Sequence, residues 1–309
     1  MIPAIVLIFL LSSVACSEDL VLVNGSVIDG SGKLRTAGNV RIHDGKITDI
    51  GVFKPLPNET VLDIKGLIVS PGFVDFRSLA PSDIKKDPAA PSLVMQGVTT
   101  AILGADGTGV YSVEQFMLPF DDKAPGVNIA MLVGHATIRR QIMGDDYKRA
   151  ATADEVQRMS ELITDAMQQG AFGLASDLQH EPASFSTTDE LLVLAKATAK
   201  FGGAVLLHAR DPKESASIAK DAKVNVVDFD ADGYSFSRLA QEKGVTLERA
   251  IPRMTSAPAS RFGLRERGTL KKGVPADLVI FNPVSLSSGM KYVFVNGMMA
   301  VKDGQLTGA

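Results

Sequence analysis

Four histidines, His43, His135, His180 and His208, and one cysteine, Cys16, are the whole stock of imidazole and thiol metal ligands in this 309-residue chain. A catalytic zinc takes three protein ligands and keeps one position open. Any such centre built on several histidines must draw on that short stock. A single cysteine excludes an intramolecular disulfide and every zinc-finger spacing. His43 and His180 have no motif around them and read as structural residues. A second metal chemistry is written in Asp228-Phe229-Asp230-Ala231-Asp232-Gly233. This is the D-x-D-x-D-G opening of a calcium loop, with Asp228, Asp230 and Asp232 as ligands and glycine at the sharp turn. The twelfth loop position is Leu239 instead of the bidentate glutamate, and a strand-like run precedes the loop instead of a helix. The alternative is an acidic solvated loop.

The elements that must position such residues alternate along the chain. Apolar runs at Val98–Leu103, Val127–Val133, Ala171–Ala175, Ala204–Leu207 and Val224–Phe229 read as buried strands. Helix-period segments lie between them. The clearest is 152–169, where Thr152 and Glu155 form a capping box and Val156, Met159, Leu162, Ile163 and Met167 make an apolar stripe. A second helix spans 188–201 and stops at Gly202-Gly203. Further helices are predicted at 235–243 and 246–255. Strand–helix alternation argues for a parallel sheet or barrel. Both ends of the chain read as β-structure, with turns at Asn24-Gly25, Asp29-Gly30, Asp44-Gly45, Asn296-Gly297 and Asp303-Gly304. Between them, Leu67–Leu79 (LIVSPGFVDFRSL) reads as an apolar strand broken by Pro71-Gly72.

The net charge of −3 and the 45% hydrophobic content are those of an ordinary globular chain. The charge is too balanced for a nucleic-acid partner. Ile2–Leu11 is almost wholly apolar and is followed by Ser12-Ser13-Val14-Ala15-Cys16. Such a run falls short of the roughly 20 residues that span a membrane, but it suits a signal peptide over residues 1–16 and an exported protein. Val14-Ala15-Cys16 resembles a lipobox, which would lipidate Cys16 and leave a membrane-anchored lipoprotein. The alternatives are cleavage near Cys16 without a lipid, or an apolar helix that packs.

The segment Pro71-Gly72-Phe73-Val74-Asp75 resembles the PGFxDxHxH strand of the amidohydrolase superfamily, which carries two metal-ligating histidines. Within that superfamily the likeness is to the N-acyl-D-amino-acid deacylases (D-aminoacylases). It is carried by QGVTT at 96–100, LVGHATIRR at 132–140, RAATADEVQRM at 149–159, MQQGAFGLAS at 167–176, LLHARD at 206–211 and MTSAPASRFGLRERGTLKKGVPADLVIF at 254–281. The resemblance implies an α/β fold: a (β/α) TIM-like barrel over 67–267, with a small β-sandwich formed by both termini, 19–66 and 268–309. A full barrel takes about 250 residues and at least about 200. Only five or six βα units can be counted here, so the barrel is predicted to be incomplete, with the shortage after His208.

The resemblance also implies a function: hydrolysis of the amide bond of an N-acyl-D-amino acid by a metal, usually zinc, that generates hydroxide and polarises the acyl carbonyl. His208 matches a family metal ligand, and Asp106 stands where many relatives carry a metal-binding cysteine. Each has a plain alternative, a hydrogen-bonded histidine at a strand end and an ordinary turn. His135 matches a histidine near the pocket mouth. Arg210 matches the pattern after His208 and could hold a substrate carboxylate; structural hydrogen bonding and a surface ion pair are the alternatives. The departures weigh against activity. Arg77 and Leu79 occupy the two HxH positions, and Arg77 brings a fixed positive charge. Neither a later ligating histidine nor the general-base aspartate has a counterpart, so no catalytic residue is assigned. The expectation is at most two ligands, His208 and Asp106. The chain then reads as a degenerate deacylase, or as a non-catalytic relative that binds an N-acylated D-amino acid if the pocket survives. Zinc is expected to be weak or absent, and calcium is the other candidate cofactor. Open barrel edges predict a homo-oligomer.

Overall fold

The computed structural model describes residues 19–78, 81–121, 124–229, 244–286 and 289–308. The predicted signal segment with Cys16, the position of Leu79, the aspartates Asp230 and Asp232, and the helix predicted at 235–243 lie outside the described residues. Among the described residues no helix is long and apolar enough to cross a membrane.

The strands in chain order are β1 (Leu20–Val27), β2 (Thr36–His43), β3 (Lys46–Gly51), β4 (Thr60–Asp63), β5 (Ile68–Pro71) and β6 (Phe73–Ser78). They continue with β7 (Val98–Leu103), β8 (Asn128–Gly134), β9 (Gly173–Asp177), β10 (Ala204–His208) and β11 (Asn225–Asp228). The last are β12 (Leu278–Phe281), β13 (Met290–Val295), β14 (Met298–Lys302) and β15 (Gln305–Leu306). They form two sheets. A nine-stranded sheet runs β15-β14-β13-β12-β5-β1-β2-β3, with β4 also paired to β1, so both chain ends contribute to one sheet. A six-stranded sheet runs β11-β10-β9-β8-β7-β6, and every pair in it is parallel.

Sequential parallel strands need crossovers, and helices supply them. In chain order these are α1 (Pro81–Lys86), α2 (Pro91–Val94), α3 (Val113–Met117), α4 (His135–Met143), α5 (Ala153–Gln168), α6 (Thr188–Ala199) and α7 (Pro212–Ala222). The predicted capping box of α5 is formed: Thr152 accepts from the Glu155 backbone N–H, and Glu155 accepts from that of Thr152. Met159, Ile163, Ala166 and Met167 bury the α5 stripe. The expected α/β architecture with an incomplete barrel is thus present. Among the described residues β6 and β11 each pair on one side only, so the barrel is open.

The stretch read as an apolar strand broken at Pro71-Gly72 forms two strands, one on either side of Gly72. Ile68–Pro71 belongs to the terminal sheet and Phe73–Ser78 to the barrel sheet, so the chain crosses at Gly72 and not at the expected 66/67. A side chain on Gly72 would lie 2.1 Å from Thr99 Oγ1, which is why the crossing residue has none. The junction is held by a buried polar hub. The Asp277 carboxylate accepts from Arg267 Nη1 (2.5 Å), Asn128 Nδ2 (2.9 Å) and the Asn296 backbone N–H (2.7 Å). The Asp277 carbonyl accepts from the Gly72 N–H (2.9 Å). In β12 and β13 alternate residues face opposite ways. Leu278, Ile280, Tyr292 and Phe294 join the core of the terminal sheet, while Val279, Phe281, Val293 and Val295 pack toward the barrel layer. This explains why LVIF is apolar throughout.

The concave side of the open barrel is filled by a segment that the sequence pattern does not mark. The helix Ser256–Arg261 and the residues after it bring Ala259, Phe262 and Leu264 against Val74, Phe76, Ile102, Leu132, Ala175, Leu206 and Val227. Phe262 is 3% exposed and its ring centroid lies 6.0 Å from that of Phe76. This plug supplies the apolar contacts that the facing strands of a closed barrel would make.

On the outer side, α4 and α6 are joined by a buried charged network. Arg139 Nη1 donates to both Glu190 oxygens at 2.5 Å, and His135 Nε2 lies 3.0 Å from Glu190 Oε1. Arg139 also donates to the Tyr147 carbonyl (3.1 Å) and to that of Arg149. Burial by itself would raise Glu190, but His135 and Arg139 outweigh it and hold the carboxyl below its ordinary range.

These contacts set measurable stabilities. Phe262→Ala removes the plug and should lower unfolding free energy by about 3–5 kcal/mol, read as a lower midpoint in urea; an unchanged midpoint would show that the barrel interior does not need it. Glu190→Gln leaves Arg139 buried without its carboxylate and should cost about 3–5 kcal/mol at neutral pH. A carboxyl depressed in the folded state stabilises above its ordinary pKa and stops doing so as pH falls through the depressed value. The gap between wild type and Glu190→Gln should therefore be full at neutral pH and narrow below about pH 4. Urea titrations across pH check this, and a gap that is flat down to about pH 3 contradicts it.

Candidate functional site

In a parallel sheet all strands end at one rim, where α/β folds place their chemistry. Most of the residues singled out from sequence stand at or just past such an end. The structure sorts them sharply. His208 closes β10, and its ladder partner on β9 is Asp177. Asp177 Oδ1 lies 3.0 Å from His208 Nδ1, and Asp177 Oδ2 lies 2.7 Å from His180 Nδ1. Ligand-capable atoms of Asp177, His180 and His208 all lie within 4.8 Å of one another. The backbone beneath is pinned: the Leu178 N–H donates to the His208 carbonyl (3.0 Å), and Gln179 Nε2 donates to that of Ala209 (3.0 Å). The side chains of Asp177 and His208 are mostly buried, whereas that of His180 is 74% exposed and opens the group to solvent.

This grouping differs from the expected ligand set. The sequence pattern allows at most His208 and Asp106, but three donors converge, and Asp106 is not among them. Its carboxylate accepts from the backbone N–H (3.0 Å) and hydroxyl (2.7 Å) of Thr108, which is the plain turn alternative. His180, expected to be structural, stands inside the cluster. No motif points to Asp177. A usable signal is nonetheless present: Asp177-Leu178-Gln179-His180 follows the apolar run 171–175, just as His208 follows 204–207.

The two expected substrate residues are occupied otherwise. His135 is fully buried, with Nδ1 2.7 Å from Ser176 Oγ and Nε2 on Glu190, so it ties α4 to β9 and α6. Arg210 donates to Glu214 Oε1 (2.8 Å) and to the Ser186 carbonyl (2.6 Å), so its guanidinium is committed to holding the start of α7. Of the calcium-loop aspartates, only Asp228 lies among the described residues, as the end of β11. His43, on β2 of the other sheet, pairs with Asp19.

Arg77 is exposed near the end of β6, and its Cζ sits 4.3 Å from the centroid of the Phe229 ring. That ring in turn lies 5.4 Å from the His208 ring. One aromatic ring therefore separates a permanent cation from the one histidine that matches a family ligand. The family's two-histidine centre does not fit this end of β6. A carboxylate and two imidazoles at the ends of β9 and β10 do suit a borderline cation such as zinc.

Comparison with known proteins agrees with the architecture. The amidohydrolase family model matches residues 225–297. The D-aminoacylase of Alcaligenes xylosoxydans xylosoxydans is 30% identical over 219 residues, 63% of this chain and 45% of that protein. The N-acyl-D-aspartate deacylase of the same organism is 28% identical over 282 residues, 81% of this chain and 55% of its own length. The chain thus spans about half the length of the curated relatives it matches. Among solved structures, D-aminoacylase superposes with a TM-score of 0.83 at 21% identity, covering 94% of this chain and 98% of that one. The N-acyl-D-glutamate deacylase of Bordetella bronchiseptica, complexed with zinc and a phosphonate mimic of the tetrahedral intermediate, gives 0.81 at 21% identity and the same coverage. The strand motif and the similarity in sequence support the amidohydrolase superfamily and, within it, a likeness to the D-aminoacylase family, and the fold is the one those proteins share.

Proposed function

We propose that this chain is a degenerate relative of the metal-dependent amidohydrolases that cleave the amide bond of N-acyl-D-amino acids, with that hydrolysis silenced. The observation that carries the reading is Arg77. It stands at a family ligand position and is held against Phe229 beside His208. A guanidinium stays charged at every accessible pH, so it opposes a divalent cation in that place. Two further observations support the reading: Asp106 is folded onto its own turn, and Arg210 and His135 are engaged by Glu214 and Glu190. The shortage of ligands, by contrast, no longer supports it.

One observation favours a second reading, hydrolysis through a different ion site: the convergence of Asp177, His180 and His208. A zinc there would have three protein ligands and could supply an activated water. The chain's own residues would hold and orient that ion.

Residues 1–16 support export with lipidation of Cys16, a reading that rests on sequence alone. The single-sided pairing of β6 and β11 among the described residues supports association through sheet edges.

The test is hydrolysis of N-acetyl-D-amino acids by the full chain, followed as amine release with added zinc and again with a chelator. Turnover indistinguishable from buffer in both is the expected result. Chelator-sensitive release of amine, lost in His180→Ala, would establish the second reading instead.

A further inference from the structure

The ends of β9 and β10 carry a donor set that the family pattern does not describe, and we propose that Asp177, His180 and His208 form a single-ion site for zinc or a similar first-row divalent cation. The argument begins with spacing. Ligand atoms set about 2.0–2.2 Å from a tetrahedral zinc lie roughly 3.5 Å from one another. The separations here are 2.7 Å and 3.0 Å on either side of the Asp177 carboxylate, with every pair inside 4.8 Å. Side-chain adjustments on the order of an ångström suffice to surround an ion.

The donors are also held in place before any ion arrives. Asp177 and His208 are direct partners across a parallel ladder, so their Cα positions are set by the sheet. His180 sits one turn after β9, with its backbone N–H directed at the Asp177 carbonyl (3.4 Å) and the Asp177 carboxylate also accepting from the Gln179 N–H (3.0 Å). A site built on strand ends and a hydrogen-bonded turn loses little conformational entropy when it closes on a ligand.

The chemistry of the donors selects the cation. Two imidazoles and one carboxylate make a nitrogen-rich set, which suits zinc and its neighbours better than calcium or magnesium, both of which prefer oxygen. Exposed His180 leaves the solvent side open, so water would complete the coordination. The site shares His208 with the family's pattern but uses neither Asp106 nor the two sequence positions taken by Arg77 and Leu79. It does not depend on whether the chain hydrolyses an amide. Where no metal binds, the same three residues are a hydrogen-bonded clamp in which one carboxylate holds two imidazoles.

The experiment uses the full chain, stripped with a chelator and dialysed. Zinc is titrated against a chromophoric competitor, and cobalt(II) is added separately to record the visible bands of a low-symmetry, nitrogen-ligated ion. The expected result is one ion per chain. Affinity should fall at least about 100-fold in Asp177→Asn and in His208→Ala, and at least about 10-fold in His180→Ala, with loss of the cobalt bands. His180 is largely exposed, so His180→Ala should keep its fold by circular dichroism even if the other two variants do not. His43→Ala, on the other sheet, should leave affinity unchanged and controls for adventitious imidazole binding. Absence of stoichiometric zinc, or zinc bound equally well by His180→Ala and wild type, overturns the site. Failure of the site would remove the second reading of the hydrolysis assay but leave the silenced-deacylase reading standing, and amine release would overturn that reading without deciding the zinc titration, so the two failures are told apart.

Discussion

The register of β9 against β10 is the constraint on which the site depends. Parallel pairing sets Asp177 opposite His208, and the alternation of the two strands sends Ala175 and Leu206 into the concave core just below them. A slip of one residue would turn both polar side chains to the other face. The ladder is continued past the strand ends by the Leu178 N–H to the His208 carbonyl and by Phe229 N–H to that of Leu207. The rim therefore belongs to the rigid sheet, even though His180 itself is open to solvent.

A second constraint couples this sheet to the chain ends. Arg267, Asp277, Asn128 and Asn296 share hydrogen bonds at the point where the chain passes from β5 through Gly72 to β6. Buried charges are tolerated when they are paired with an opposite charge and hydrogen-bonded. Here the pairing joins β8 of the half-barrel to β12 and β13 of the terminal sheet. The outer network of His135, Arg139 and Glu190 acts similarly between helices. In both places a polar group that could have served a ligand is spent on holding elements together.

Incompleteness of the barrel has a visible consequence. A six-stranded parallel sheet cannot cover its own concave face, and Ala259, Phe262 and Leu264 do so from the other end of the sequence. The plug keeps the interior apolar and confines the polar residues to the rim. Arg77 is part of the same rearrangement, because it rests on Phe229, the residue just past β11.

Much of this architecture is legible in the amino-acid sequence. The apolar runs at 98–103, 127–133, 171–175, 204–207 and 224–229 correspond to β7–β11, because buried parallel strands must be apolar on both faces. The Thr152–Glu155 box marks the start of α5 because capping is a local interaction. The strand motif at 71–75 carries the likeness to the amidohydrolases, and Arg77 departs from that motif. Tertiary structure alone decided which donors meet. Asp177 and His208 are 31 positions apart, and only pairing brings them into contact. Tertiary structure also decided that His135 and Arg210 are engaged by Glu190 and Glu214, and that Asp106 bonds within its own turn. Local propensity is written in neighbouring residues; convergence of side chains from separate strands is set by sheet register and by the competition among all nearby partners.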